Sequence, residues 1–288
     1  MTISASSGLC AVIGDPVRHS LSPQIHNAAF QARGLDLVYV ALPVKKGDAR
    51  RALDGVRALG IRGLSVTIPH KVDVVPWLDE VDEVGANIGS INTVVNRAGR
   101  LLGYSTDGPG ALRALEANRV DPRGRDLLIL GTGGAARAIA FTLATLDPPP
   151  RLEILGVVPA EMDQLGADLR AKTSISVTTR LLADAILPDA LARAEVIVQA
   201  TPVGMTPQVD ASLIPAHLIR PDHVVFDVVY TPLQTKLLKE ARAAGARTVP
   251  GLGMFVHQAA IQFELWTGQP APLSVMTATV RQALEGAA

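Results

Sequence analysis

The sequence predicts an α/β fold with mostly parallel strands, divided between two domains. Three observations lead there. Short apolar runs alternate with stretches of helical periodicity along almost the whole chain, the pattern of strand–helix–strand units. At 288 residues the chain exceeds the usual single-domain size. In the middle, the strand-like run Leu127–Leu130 passes directly into a glycine turn and a helical pattern, so a second series of units starts there.

Leu9–Ile13 reads as the first strand. After a loop, Ser22-Pro23 reads as a helix start, serine at the cap and proline in the first turn, with Ile25, Ala28, Ala29 and Ala32 following at helical spacing. Leu37–Leu42 and Gly63–Val66 read as strands, with an Arg/Ala/Leu helix between Asp48 and Leu59. Beyond Thr106 the pattern restarts: a strand at Arg125–Leu130, then a helix at Gly133–Leu146 ended by Pro148-Pro149-Pro150. Strands are expected at Leu152–Leu155, Ile175–Thr178, Val196–Gln199, Val224–Val228 and Thr248–Val249, with helices between several of them, most clearly Leu233–Ala244. Two helical stretches, about Met254–Trp266 and Val275–Leu284, complete the chain.

Lysine plus arginine number 27 and aspartate plus glutamate 27, so the whole-molecule field gives no reason to expect nucleic acid or a membrane surface as partner. An anionic small molecule has to be drawn by a local site. Cys10 is the only cysteine, which excludes an intrachain disulfide and fits a reducing compartment. Met1 to Gly8 lacks the basic stretch and apolar core of a secretion signal, and no run approaches the roughly 20 apolar residues of a membrane span. A cytoplasmic protein is expected. His19, His26, His70 and His257 are scattered without metal-ligand spacing, and no metal site is expected.

The run Leu127-Leu128-Ile129-Leu130-Gly131-Thr132-Gly133-Gly134-Ala135-Ala136 sets a buried strand before Gly-x-Gly-x-x-Ala and a helix. Gly131 suits the tight turn, Gly133 lets backbone approach a pyrophosphate, and Ala136 permits close helix–strand packing. The N–H groups at the helix start then face a phosphate. Dinucleotide binding in a Rossmann-like domain is the reading; a ligand-free glycine turn is its bland counterpart.

Two polar clusters precede it. Gly14-Asp15-Pro16-Val17-Arg18-His19-Ser20-Leu21-Ser22 places two hydroxyls beside helix N–H donors, an arrangement suited to a carboxylate. Ser65-Val66-Thr67-Ile68-Pro69-His70-Lys71 ends a strand with a hydroxyl and an amine four residues apart. Near the end, Gln258 shares a helical stripe with Met254, Ile261 and Leu265, so its amide needs a partner, either a ligand hydroxyl or a backbone carbonyl.

These runs resemble those of the shikimate dehydrogenase family. Further similar runs are Gly89-Ser90-Ile91-Asn92-Thr93, Thr106-Asp107-Gly108, Ala200-Thr201-Pro202-Val203-Gly204-Met205, Phe226-Asp227-Val228-Val229-Tyr230-Thr231-Pro232 and Gly251-Leu252-Gly253-Met254-Phe255-Val256-His257-Gln258-Ala259-Ala260. The resemblance implies an N-terminal α/β substrate domain, residues 1–107 plus 251–288, and a Rossmann-like NAD(P)-binding domain, residues 108–250. It implies that Ser20, Ser22 and Tyr230 hold a substrate carboxylate. Thr67, Lys71, Asn92, Asp107 and Gln258 then surround the ring hydroxyls and the reacting carbonyl. Lys71 and Asp107 are the catalytic pair: hydride delivered to a ketone leaves an alkoxide, which needs a proton donor in reach, and Lys71 can donate while Asp107 orients it. A purely structural salt bridge is the alternative for that pair. Gly131, Gly133, Gly134 and Ala135 would line the dinucleotide phosphates, with Thr201 in a turn bordering the cofactor and Gly253 and Met254 near the nicotinamide.

The implied activity is reversible NAD(P)-dependent reduction of 3-dehydroshikimate to shikimate, in the pathway to chorismate and the aromatic amino acids, by a monomer or homodimer. A quinate or aminoshikimate dehydrogenase of the same family, and a ligand-sensing paralogue with little catalysis, are the competing readings. Two departures stand out. Ser105 occupies a position where members usually carry asparagine. Gly156-Val157-Val158 replaces the Asn-Arg-Thr run that commonly grips the NADP 2′-phosphate, so no arginine for that phosphate is evident and NAD is expected to serve comparably or better. Arg180, after the next strand, is the remaining candidate.

Overall fold

The computed structural model describes residues 3–286. The expected domain limits at residues 1 and 288, and the first two residues of the Met1 to Gly8 stretch, lie outside the described residues.

The chain runs β1 (Gly8–Gly14), α1 (Ser22–Ala32), β2 (Leu37–Pro43), α2 (Ala49–Ala58), β3 (Gly63–Val66), β4 (Glu80–Val81), α3 (Glu83–Ile88), β5 (Thr93–Arg97) and β6 (Arg100–Tyr104). It continues with α4 (Asp107–Ala117), β7 (Asp126–Leu130), α5 (Gly134–Leu143), β8 (Arg151–Gly156), α6 (Pro159–Lys172), β9 (Ser176–Leu181), α7 (Leu187–Arg193) and β10 (Val196–Gln199). β11 (Val224–Asp227), α8 (Lys236–Ala243), β12 (Arg247–Pro250), α9 (Gly251–Thr267) and α10 (Leu273–Glu285) close it. The molecule is α/β, with two six-stranded sheets.

One compact unit gathers the chain through Thr106 with the residues from Val256 onward; the other spans Asp107–Phe255. The first division falls one residue before the expected 107/108 limit, because Asp107 already opens α4. The second falls inside α9, five residues beyond the expected 250/251 limit.

In the first unit the strand order is β2-β1-β3-β5-β6-β4. β1 pairs in parallel with β2 and β3, whereas β3–β5 and β5–β6 are antiparallel. One face packs Ala11, Ile13, Leu64 and Val66 of the central strands against Leu53 and Val56 of α2. On the terminal helices, Phe263 of α9 meets Phe30 of α1 with ring centroids 5.6 Å apart, and the Trp266 indole donates to the Val94 carbonyl at 3.0 Å.

The β5/β6 hairpin escapes pattern reading for a local reason. Its turn places Ala98 at φ 51 and Gly99 at φ 89, two left-handed residues in succession as a type I′ turn needs. The usual signature for that turn is Asn-Gly, and alanine in the first position conceals it. The Asn96 side chain compensates by accepting the Gly99 N–H at 2.8 Å.

The second unit carries an all-parallel sheet of order β12-β11-β10-β7-β8-β9. Its central strands are buried except at Asp126, the first residue of β7, as expected for strands covered by helices on both faces. The chain order reverses direction between β7 and β10. Doubly wound sheets bind ligands in the crevice at the carboxyl ends of the two strands flanking such a reversal.

Candidate active site

The glycine turn sits at that reversal. Gly131 follows β7 with φ +112, a conformation L side chains rarely adopt, and a Cβ there would meet the Ala200 carbonyl oxygen at 2.9 Å. Backbone leaving β7 can pass the end of β10 this closely only without a side chain. Gly133 caps α5, and a Cβ added at Gly133 or Gly134 would meet no protein atom within 4 Å. The first N–H groups of α5, Gly134 and Ala135 among them, therefore lie at an approachable helix start, the arrangement that accepts a phosphate. The residues present fit a dinucleotide pyrophosphate.

Thr201 borders the turn from the end of β10. Buried Gln199 holds it there: the Gln199 Oε1 accepts the Thr201 N–H at 2.6 Å, and Nε2 donates to the Thr201 and Val203 carbonyls at 3.1 and 3.0 Å. At the end of β8, Val157 and Val158 are exposed and supply no charge. Arg180, the remaining candidate cation, forms an ion pair with Glu153. The carboxylate of Glu161 accepts the Thr132 hydroxyl at 2.9 Å, which sets a negative charge beside the glycine turn.

In the same unit Asp107 is the first residue of α4, and α4 packs tightly on α5. A Cβ on Gly108 would run into Thr142 Oγ1 and the Ala138 carbonyl, so glycine lets the two helices meet. Tyr230 stacks on Phe255 with centroids 4.8 Å apart. Burial raises its pKa, and the nearby Asp107 charge raises it further. Three residues before Tyr230, the buried Asp227 carboxyl accepts Thr235 Oγ1 at 2.6 Å and the Val229 N–H at 3.1 Å, tying the loop after β11 in place. Burial pushes its pKa up to about 6 despite those two bonds. Gly253 lies against Ala114 of α4, and Met254 is buried in the first turn of α9.

In the first unit, the loop after β3 is pinned on both sides of the candidate lysine. Thr67 donates its N–H to Ile13 O at 3.0 Å, His70 Nε2 reaches the Val44 carbonyl at 2.7 Å, and the Lys71 carbonyl accepts the Ile91 N–H at 2.8 Å. Lys71 and Thr67 are half-buried. Asn92 is buried, its Oδ1 accepting the Thr106 N–H at 2.8 Å and its Nδ2 donating to Thr106 Oγ1 at 3.0 Å.

The expected serine cap on α1 is not formed. Leu21 occupies the cap position, no side chain closes it, and Ser22 is the first helical residue. Its N–H instead donates to Ser20 Oγ at 3.2 Å, and its hydroxyl hydrogen-bonds the Tyr39 phenol.

From Tyr39 a buried polar chain continues. Tyr39 donates to Ser65 Oγ at 2.6 Å, and Ser65 donates to Gln262 Oε1 at 2.9 Å. Gln262 Nε2 donates to Thr93 Oγ1 at 2.9 Å and to the Asn92 carbonyl at 3.3 Å, and Thr93 donates to Asn92 Oδ1 at 2.9 Å. Pattern reading placed the inward amide of α9 at Gln258, which is half-buried together with Ile261 and Leu265; the fully buried amide is Gln262, one turn further on. The buried stripe runs through Val256, Ala259, Ala260, Phe263 and Trp266. The run Ala-Ala-Ile-Gln-Phe, a lone amide among apolar residues, was the available signal.

Comparison with known proteins follows the same outline. Residues 12–94 match the family profile described as shikimate dehydrogenase substrate binding domain, and residues 251–281 match the shikimate 5′-dehydrogenase C-terminal domain. A shikimate dehydrogenase (NADP(+)) of Moorella thermoacetica is 45% identical over 282 residues, covering 98% of this chain and 95% of the relative. The crystal structure of shikimate 5-dehydrogenase from Listeria monocytogenes in complex with shikimate and NAD superposes with a TM-score of 0.93 at 35% identity, covering 97% of this chain and 98% of that one. Quinate dehydrogenase from Corynebacterium glutamicum in complex with NAD superposes with a TM-score of 0.89 at 32% identity, covering 96% and 99%.

Proposed function

Because this chain belongs to the shikimate dehydrogenase family of NAD(P)-dependent oxidoreductases, we propose that it catalyses the reversible reduction of 3-dehydroshikimate to shikimate. The reaction belongs to the shikimate pathway. The observation that carries the reading is the glycine turn at the strand-order reversal, where Gly131 lies against the end of β10 and Gly133 and Gly134 open the start of α5.

A nicotinamide dinucleotide, when bound, would supply or take up the hydride. Gly131, Gly133, Gly134 and Ala135 would hold its phosphates, with Thr201 bordering the cofactor and Gly253 and Met254 toward the nicotinamide. The chain's own residues handle the rest. Ser20, Ser22 and Tyr230 take the carboxylate through hydroxyl donors. Thr67, Asn92 and Gln258 take ring hydroxyls. As the ketone carbon receives the hydride its oxygen becomes an alkoxide; Lys71 gives that oxygen a proton, and takes one back in the oxidative direction. Asp107 orients the ammonium and balances its charge. The absence of a cation after β8 and the Glu161 carboxylate beside the turn support NAD as a cofactor at least equal to NADP.

The zero net charge and single cysteine support a cytoplasmic enzyme taking small molecules and not nucleic acid, as a monomer or homodimer. Among the described residues, no helix is long and apolar enough to cross a membrane. Initial rates with shikimate and quinate against both nicotinamides test the proposal. Shikimate is expected to give the highest kcat/KM; dominance of quinate would move the assignment to the quinate branch, and no oxidation of either would refute it.

A further inference from the structure

We propose that Gln262 is a positioning residue for the substrate: its amide locks the buried hydrogen-bond network that holds Asn92 in place. The inference rests on the reading of Asn92 as a substrate contact. Gln262 sits on the inward face of α9 beside Phe263 and Trp266, a place where an apolar side chain would ordinarily pack. A buried amide is tolerated when its hydrogen-bonding capacity is used. Here Oε1 accepts from Ser65 and from His26 Nε2, at 2.9 and 3.3 Å, while Nε2 donates to Thr93 and to the Asn92 carbonyl.

The direction of the amide follows from donor and acceptor chemistry. The Asn92 carbonyl can only accept, so Nε2 must face it and Oε1 must face Ser65 and His26. His26 then carries its proton on Nε2, and its buried Nδ1 has no hydrogen-bond partner among the described residues, as a lone pair tolerates better than an N–H. The titratable groups facing the amide, His26 from α1 and Tyr39 from β2, are both neutral near pH 7, since burial disfavours their charged forms.

The Asn92 side of the network inherits that direction. Thr93 accepts from Gln262 and gives its own proton to Asn92 Oδ1, the oxygen that the Thr106 N–H also holds, while the Gln262 amide grips the Asn92 carbonyl. On the other side of the amide, the Tyr39 proton is spent on Ser65 Oγ, and Ser65 in turn donates to Gln262 Oε1. One amide thus ties Ser65 of β3 and Thr93 of β5 to α9.

The test compares wild type with Gln262→Met, which keeps the volume and removes donor and acceptor, and Gln262→Glu, which reproduces the amide pattern only while its carboxyl is protonated. In Q262M the KM for shikimate is expected to rise at least about tenfold while the KM for the dinucleotide stays within about twofold, a split that general loosening of the fold does not produce. In Q262E the shikimate KM is expected to lie near wild type at acid pH and to climb as pH rises, a titration wild type lacks. A shikimate KM in Q262M within twofold of wild type, or both KM values raised alike, overturns the proposal. If Q262M does not fold, Q262E decides alone, and a shikimate KM that tracks wild type across pH overturns it. Wild type unable to oxidise shikimate would instead refute the assigned function, and this inference with it.

Discussion

Asn92 Oδ1 accepts the backbone N–H of Thr106 at 2.8 Å, so the candidate substrate asparagine is clamped to the residue immediately preceding the candidate catalytic aspartate. Thr93 and the Thr106 hydroxyl complete the cluster at 2.9 and 3.0 Å. Replacing Asn92 with leucine strands several buried polar groups at once. Leaving a buried donor or acceptor unmade costs about 1–3 kcal/mol each, and a loss of about 3 kcal/mol is expected in urea denaturation, with turnover of shikimate abolished. Thr106→Val, which keeps the N–H bond and removes only the hydroxyl, should lose about 1 kcal/mol. Equal effects of the two substitutions would contradict the clamp.

Gly108 gives a second handle on Asp107. A methyl group there collides with α5 at both Thr142 Oγ1 and the Ala138 carbonyl, and the carbonyl cannot step aside. Gly108→Ala should destabilise by about 2–3 kcal/mol, the usual range for overpacking, and lower kcat by displacing α4, whose first residue is Asp107. Adding Thr142→Ala should recover only part of the stability, since the backbone contact persists. Full recovery in thermal melts would show that the side-chain contact alone is limiting.

Asp227 predicts a pH effect whose sign is fixed. Its folded pKa, about 6, lies above the ordinary 3.8, so the fold binds this proton more tightly than the unfolded chain does. The associated stability is fully present below pH 4 and is lost as pH rises through 6. At 1.36 kcal/mol per pKa unit the loss is on the order of 3 kcal/mol. His26 runs the opposite way: burial lowers its pKa to about 3, so its contribution is present above the ordinary 6.5 and lost as pH falls. The two profiles overlap, and the informative quantity is the difference between wild type and Asp227→Asn. Their stability difference should shift against wild type by on the order of 3 kcal/mol between pH 4 and 7; a pH-independent difference would rule out a raised Asp227 pKa.

Cofactor choice follows from charges near the glycine turn. With Val157 and Val158 after β8 and Glu161 beside Thr132, NAD should match or exceed NADP in kcat/KM. Val157→Arg introduces a guanidinium at an exposed position and should move the NADP/NAD ratio by about tenfold toward NADP, about 1.4 kcal/mol. Strong NADP selectivity in wild type would reject this account.

The parts of the fold that could be read from sequence are those where one physical signal dominates. The strand–glycine–helix run at Leu127–Ala136 is visible because burial, turn chemistry and helical period coincide within ten residues. The β5/β6 hairpin is not legible in the sequence because Ala98 takes a left-handed conformation that alanine does not advertise. Helix α8 begins at Lys236 and not Leu233, since Thr235 accepts the Leu238 N–H and sets the cap. At the site, hydroxyls and charges in loops announce themselves, whereas Tyr39, Ser65 and Gln262 lie on three separate elements and acquire a shared role only when the sheet and α9 bring them together. Gln262 differs from Gln258 in burial, a property of tertiary packing that a helical stripe alone could not rank.

The most direct measurement of the central claim is shikimate oxidation by Lys71→Ala, paired with calorimetric shikimate binding to the same variant. Loss of a positioned proton carrier should lower kcat by about 10²–10⁴-fold, while the shikimate Kd stays within about tenfold of wild type. A kcat within a few-fold of wild type would contradict the assignment of Lys71 as the group that protonates the reacting oxygen.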